Sequence, residues 1–154
     1  MGLLEVARSR VMDVLGRIQW LAPLIGRIAV GLLFVSTGWG KVHDVPKVVH
    51  FFEQLGIPAP GFHAVLVSYT ELVGGSLIVI GLLTRLACVP LMISMVVAIL
   101  TAKRADLHGL FDLVGFDEFT YLCVLAMIVI IGPGSASIDA LIVPKLFPAR
   151  HSAR

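Results

Sequence analysis

The chain has 154 residues, of which 58% are hydrophobic and 14% charged, with a net charge of +2 and a mean hydropathy of +0.97. Soluble domains carry about 25% charged residues, so this composition excludes a water-soluble globule, and the small net charge gives no footing for nucleic-acid binding. What remains is an integral membrane protein, read as a single membrane domain over 21–135 between an N-terminal segment, 1–20, and a C-terminal one, 136–154.

Residues 3–19, LLEVARSRVMDVLGRIQ, place Leu4, Val11, Leu15 and Ile18 on one helical face and Glu5, Arg8, Ser9 and Asp13 elsewhere. That pattern predicts an amphipathic helix lying in the membrane interface, with Trp20 as its anchor. No small-residue cleavage site follows the first long apolar run, so that run is expected to be retained. It is the first span, 24–40, LIGRIAVGLLFVSTGWG, closed by Lys41. A short helix over 45–55 should follow, with Asp44 as its cap, Pro46 in its first turn and Gly56 at its end.

The second span is expected over 62–83, the third over 86–101 after a tight turn at Thr84 and Arg85, and the fourth over 118–131, stopped by GPG. Residues 102–117 read as a polar loop. A second interfacial helix, with Ser137 as a candidate cap, and a basic tail complete the chain. The fold class is thus all-α: an integral membrane four-helix bundle with flanking interfacial amphipathic helices. Counting Lys and Arg around the spans puts Arg8, Arg10, Arg17, Arg85, Lys145, Arg150 and Arg154 on the side of the termini. The positive-inside rule then places both termini in the cytoplasm.

The charges within the spans carry the functional signal, because an ionisable group in the bilayer costs ~2.5–3.5 kcal/mol and usually faces the bundle interior. Arg27, Gly31, Phe34, Gly38 and Lys41 fall on one stripe of the first span. Ala64, Val67, Ser68, Glu71, Gly74, Gly75 and Ile78 fall on one stripe of the second. Small residues on both stripes predict close face-to-face packing.

Glu71 is the candidate proton-handling residue, and Arg27, Lys41, Glu71 and Glu118 are the candidates for holding a quinone-like ligand; the alternative is an acid that only fixes helix register. Counted from Phe62 at ~1.5 Å per residue, Glu71 lies ~13 Å inside the outer edge, so neither Arg27 nor Lys41 is at its depth. His43, His50, His63 and His108 have no spacing that fixes a metal site, and no metal is expected. Cys88 and Cys123 read as two buried free thiols, not a disulfide or a redox pair. Nucleotide-binding, serine-hydrolase and zinc-protease patterns are absent.

RIAVGLLFVSTGWGK at 27–41, FEQLGIPAP at 52–60, ELVGGSLIVIGLLTR at 71–85 and GPGSASID at 132–139 together resemble the DoxX family of small bacterial membrane proteins. The resemblance covers about 24–142 and implies a four-helix membrane bundle with a redox association, some members being similar to subunits of quinone-linked oxidation. The matching polar positions are Arg27, Lys41, Glu71, Arg85 and Asp139. Two functions from different classes follow. One is a membrane subunit of a redox system that interacts with quinone, in contact with a partner protein of that system or a second copy of itself. The other is a non-enzymatic anchor or assembly partner whose intramembrane charges are structural.

Overall fold

The computed structural model describes residues 3–146, and those residues form eight helices. In order they are α1 (Leu3–Ile18), α2 (Leu21–His43), α3 (Val45–Gln54), α4 (Pro60–Ile80), α5 (Thr84–Thr101), α6 (Leu110–Gly115), α7 (Asp117–Ile131) and α8 (Ile138–Leu146). No strand occurs among the described residues. The basic tail from 147 onward lies outside them.

Helices α2, α4, α5 and α7 pack into a bundle, with α2 against α4 as the most extensive contact and α5 against α7 next. α2, α4 and α5 are each long and apolar enough to cross a bilayer. α7, at 15 residues, is shorter than the ~20 residues an upright span needs. Alternating directions bring the start of α2 and the end of α7 to one end of the bundle, the terminal end. α3 and α6 sit at the other, the loop end.

The apolar core joins Val30 and Phe34 of α2, Ile78 of α4, Ala87, Cys88, Leu91, Met95 of α5, and Leu125 and Ile128 of α7. Large apolar side chains also cover the outside, among them Leu32, Tyr69, Val73, Leu86, Val89 and Ile130. An apolar exterior around an apolar core is what a helix bundle in lipid requires.

The two small-residue stripes do meet. A Cβ on Gly75 would lie 2.8 Å from the Val35 nitrogen and 2.9 Å from the Gly31 oxygen, and one on Gly38 would strike the backbone of Leu72. The backbones of α2 and α4 thus touch where Gly31 to Gly38 cross Glu71 to Val79, a packing open only to residues without side chains.

Several boundaries differ from the sequence expectation. α2 is longer at both ends than 24–40. α4 stops at Ile80, where Gly81 takes a left-handed conformation (φ +74°), and α5 begins at Thr84, not 86. Its start is fixed from afar: Asp139 accepts hydrogen bonds from the Leu83 and Thr84 nitrogens at 2.7 and 2.9 Å, so α8 caps α5. α6 interrupts the expected polar loop.

α1 has every described side chain exposed and joins α2 through Trp20, itself in a helical conformation. Asp44 and Ser137 cap α3 and α8 as expected, accepting from the Lys47 nitrogen at 3.3 Å and the Ala140 nitrogen at 3.1 Å. Cys88 is buried, but Cys123 is exposed on the outer side of α7, a correction to the expected pair of buried thiols. Its face of α7 looks away from α2 and α5, which a nearly uniform apolar run cannot reveal.

Candidate functional site

Glu71 is 2% exposed and lies against Gly38 of α2. Its Oε1 accepts a hydrogen bond from Lys41 Nζ at 2.5 Å, and the pair joins α2 to α4 inside the bundle. Lys41 keeps about a third of its side chain accessible, so the ammonium bridges the interior acid and the loop end. The other carboxylate oxygen, Oε2, is buried and has no hydrogen-bond partner. A buried acceptor left unsatisfied costs about 1–3 kcal/mol, so this atom marks a place where something is missing from the protein's own bonding.

Glu71 and Lys41 line an open cavity of about 1360 Å³ at the loop end. Phe34, Met95 and Tyr121 form its inner wall, and the Phe34 and Tyr121 rings meet edge to face with centroids 6.3 Å apart. Val48 and Phe52 of α3, with Leu55 just after it, close it from above. Along the seam between α4 and α5 it opens sideways: Leu66, Ile93 and Val97 line it there and are also exposed on the outer surface of the bundle.

A second acid reaches the same cavity. Glu118, in the first turn of α7, has Oε1 4.0 Å from Lys103 Nζ, while its Oε2 is buried without a partner. Lys103 also sits 5.7 Å from the centre of the Phe116 ring, a cation–π distance.

Arg27 is elsewhere. It is 2% exposed at the terminal end, where its two terminal nitrogens donate to the carbonyls of Pro133 and Ala136 at 2.7 and 2.6 Å. Fourteen residues separate it from Lys41 on one helix, about 21 Å, so of the four candidate ligand-holding residues three share a cavity and Arg27 does not. It ties the GPGSAS turn to α2 and lies beside Gly81, close enough that a Cβ there would meet its guanidinium at 2.6 Å.

The depth mismatch expected between Lys41 and Glu71 is absent because α2 and α4 are shifted along each other, so the outer end of α4 reaches beyond that of α2. Gly38 sits level with Leu72, and Lys41 is then only one turn away. Two further groups escaped the sequence reading: Lys103, within the expected polar loop, and Tyr121, within the fourth span. Neither spacing nor composition distinguishes them. Among the described residues no three His, Cys, Asp or Glu side chains gather at one point. His43 and His63 bond to their own helix-turn carbonyls, Trp39 and Pro58.

A family model described as DoxX matches residues 22–104, which takes in Lys41, Glu71 and Lys103 and stops short of Glu118. The Mycobacterium tuberculosis "Uncharacterized membrane protein Rv3486" is 38% identical over 124 residues, 73% of this chain and 76% of that one. The Bacillus subtilis "Putative oxidoreductase CatD" is 32% identical over 108 residues, 70% of this chain and 75% of that one. The Escherichia coli "Inner membrane protein YqjF" is 30% identical over 132 residues, 84% of this chain and 98% of that one. No solved structure matches the chain.

Proposed function

We propose that this chain, which belongs to the DoxX family, is a membrane subunit of a redox system in the bacterial inner membrane and holds a quinone-type lipid in the cavity at its loop end. The observation that carries the reading is the Glu71 carboxylate, buried, bonded through one oxygen to Lys41 and left without a partner at the other, on the wall of a cavity open to the lipid-facing surface. A polar ring with an apolar tail fits such a place. Its head finds a hydrogen-bonding group and two aromatic neighbours, and its tail leaves through an apolar seam.

A bound quinone supplies two-electron, two-proton chemistry. The chain's own residues orient the ring, keep bulk water from it and exchange a proton at Glu71 Oε2, with Lys41 supplying the countercharge. Electrons pass to or from a partner protein of the system. The Bacillus relative whose printed name is an oxidoreductase lends this reading support. The Escherichia relatives named as inner membrane proteins support the location. With the basic residues concentrated at the terminal end, both termini lie in the cytoplasm and the cavity faces outward.

Native mass spectrometry of the protein extracted with its own lipid tests this. A stoichiometric quinone in the wild type, lost in Glu71→Gln, is the expected result. A second reading, an anchor for another protein, draws on α6, where Leu110, Phe111 and Val114 stand uncovered. No quinone in either form, with a protein partner retained by both, decides for the anchor.

A further inference from the structure

Two lysine–glutamate pairs line this one cavity, Lys41–Glu71 in hydrogen-bond contact and Lys103–Glu118 looser, at 4.0 Å. In each, Oε1 faces a lysine, Lys41 for Glu71 and Lys103 for Glu118, and Oε2 is buried with no donor. The two acids also stand at one depth. Phe34 of α2 meets Tyr121 of α7. One turn from Phe34 toward the loop end is Gly38, which lies on the backbone of Glu71 and Leu72. One turn from Tyr121 in the same direction is Glu118. The free oxygens therefore flank the cavity above a floor made by the Phe34 and Tyr121 rings.

We infer that the preferred occupant is the reduced, dihydroxy form of an aromatic ring, a quinol, which donates one hydroxyl to Glu71 Oε2 and another to Glu118 Oε2. The inference rests on the reading above that a quinone-type ring binds here and adds which redox form the site selects. A carboxylate beside an ammonium, bonded to it at Glu71 and 4.0 Å from it at Glu118, has only acceptor capacity to offer. A diol meets both acceptors with donors, whereas the oxidised ring brings carbonyl oxygens, acceptors against acceptors. Charge points the same way. Lys41 and Lys103 offset Glu71 and Glu118 one for one, and the other charged lining residues, Asp44, Lys47 and Asp106, are exposed at the loop end, so a neutral donor suits the inner site and a dication gains little there. The flat ring matches the aromatic floor, where offset and edge contacts are favourable.

The test is titration of the full chain in lipid nanodiscs, without oxygen, with a short-tailed benzoquinol and separately with its benzoquinone, empty nanodiscs being subtracted. The quinol should bind at least about tenfold more tightly, the scale of a hydrogen bond to a charged group. Glu118→Gln should remove most of that ratio, since glutamine presents a donor as well as an acceptor. Glu118 lies in a partly accessible first turn, so this variant keeps the question answerable even where Glu71→Gln fails to fold.

Equal or tighter binding of the quinone overturns the inference and leaves a quinone site standing. A preference unchanged in Glu118→Gln overturns the two-ended geometry. Displacement of the ring by 1,4-diaminobutane overturns the choice of a neutral donor. Binding of neither ring overturns the inference and the functional reading together.

Discussion

At the scale of single residues, the asymmetry of the Lys41–Glu71 pair sets what substitution will do. Glu71 is buried and Lys41 reaches water. Removing the lysine strands an acid in the interior, whereas removing the acid's charge leaves a lysine that can solvate itself. Lys41→Met should therefore destabilise by about 1–3 kcal/mol, read as a lower melting temperature in detergent, with Glu71→Gln affected less. The double change Lys41→Met with Glu71→Leu should recover most of the loss, because two apolar groups leave nothing unsatisfied.

The acid and its stripe were legible in the sequence because a charge among small residues at helical spacing has one common physical cause, burial against a neighbouring helix. The partner was not, since depth depends on how two helices are shifted along each other. Arg27 was misleading for a related reason. Its partners are backbone carbonyls of Pro133 and Ala136, and carbonyls leave no mark on a sequence.

Among elements, the crossing of α2 on α4 fixes the cavity's floor and depth. Gly38→Ala would drive a methyl to 2.8 Å from the Leu72 Cα, so the helices must part or shift. We expect a loss of about 1–3 kcal/mol and a weaker hold on any ligand near Glu71. Gly40→Ala, two residues on with nothing within 4 Å, is the control. It should be neutral or up to about 1 kcal/mol stabilising through helix propensity alone. Thermal melts of the two variants beside the wild type decide it, and equal losses would show that the contact does not control stability.

The helices themselves were mostly readable from hydropathy and punctuation. Asp44, Gly56 and the GPG turn each end or begin an element where expected to within three residues, whereas Gly81 ends α4 inside the expected second span. α6 was not, because six residues of LFDLVG carry too little periodicity to separate a turn of helix from loop. The cap that Asp139 places on α5 was equally hidden, joining positions more than fifty residues apart.

For the molecule as a whole, the proposed orientation makes opposite predictions for two exposed arginines at either end of α5. In a Cys88→Ala, Cys123→Ala background, Arg104→Cys should react with a membrane-impermeant maleimide in intact spheroplasts. Arg85→Cys should react only after the membrane is opened. The reverse result inverts the topology, and reaction of both from outside would show that α5, at 18 residues or about 27 Å, does not cross.

The seam between α4 and α5 changes what affinity means for this protein. Leu66, Ile93 and Val97 face lipid as well as cavity, so an occupant arriving there never leaves the bilayer and meets the site by diffusion in two dimensions. Its effective concentration is a mole fraction among lipids, not a molarity in buffer. Diluting the protein in water should leave occupancy unchanged, whereas adding lipid at fixed total ligand should empty the site. A constant that looks tight per litre of buffer can then describe only modest holding once partition is divided out, and the cell would control loading by how much of the compound its membrane carries.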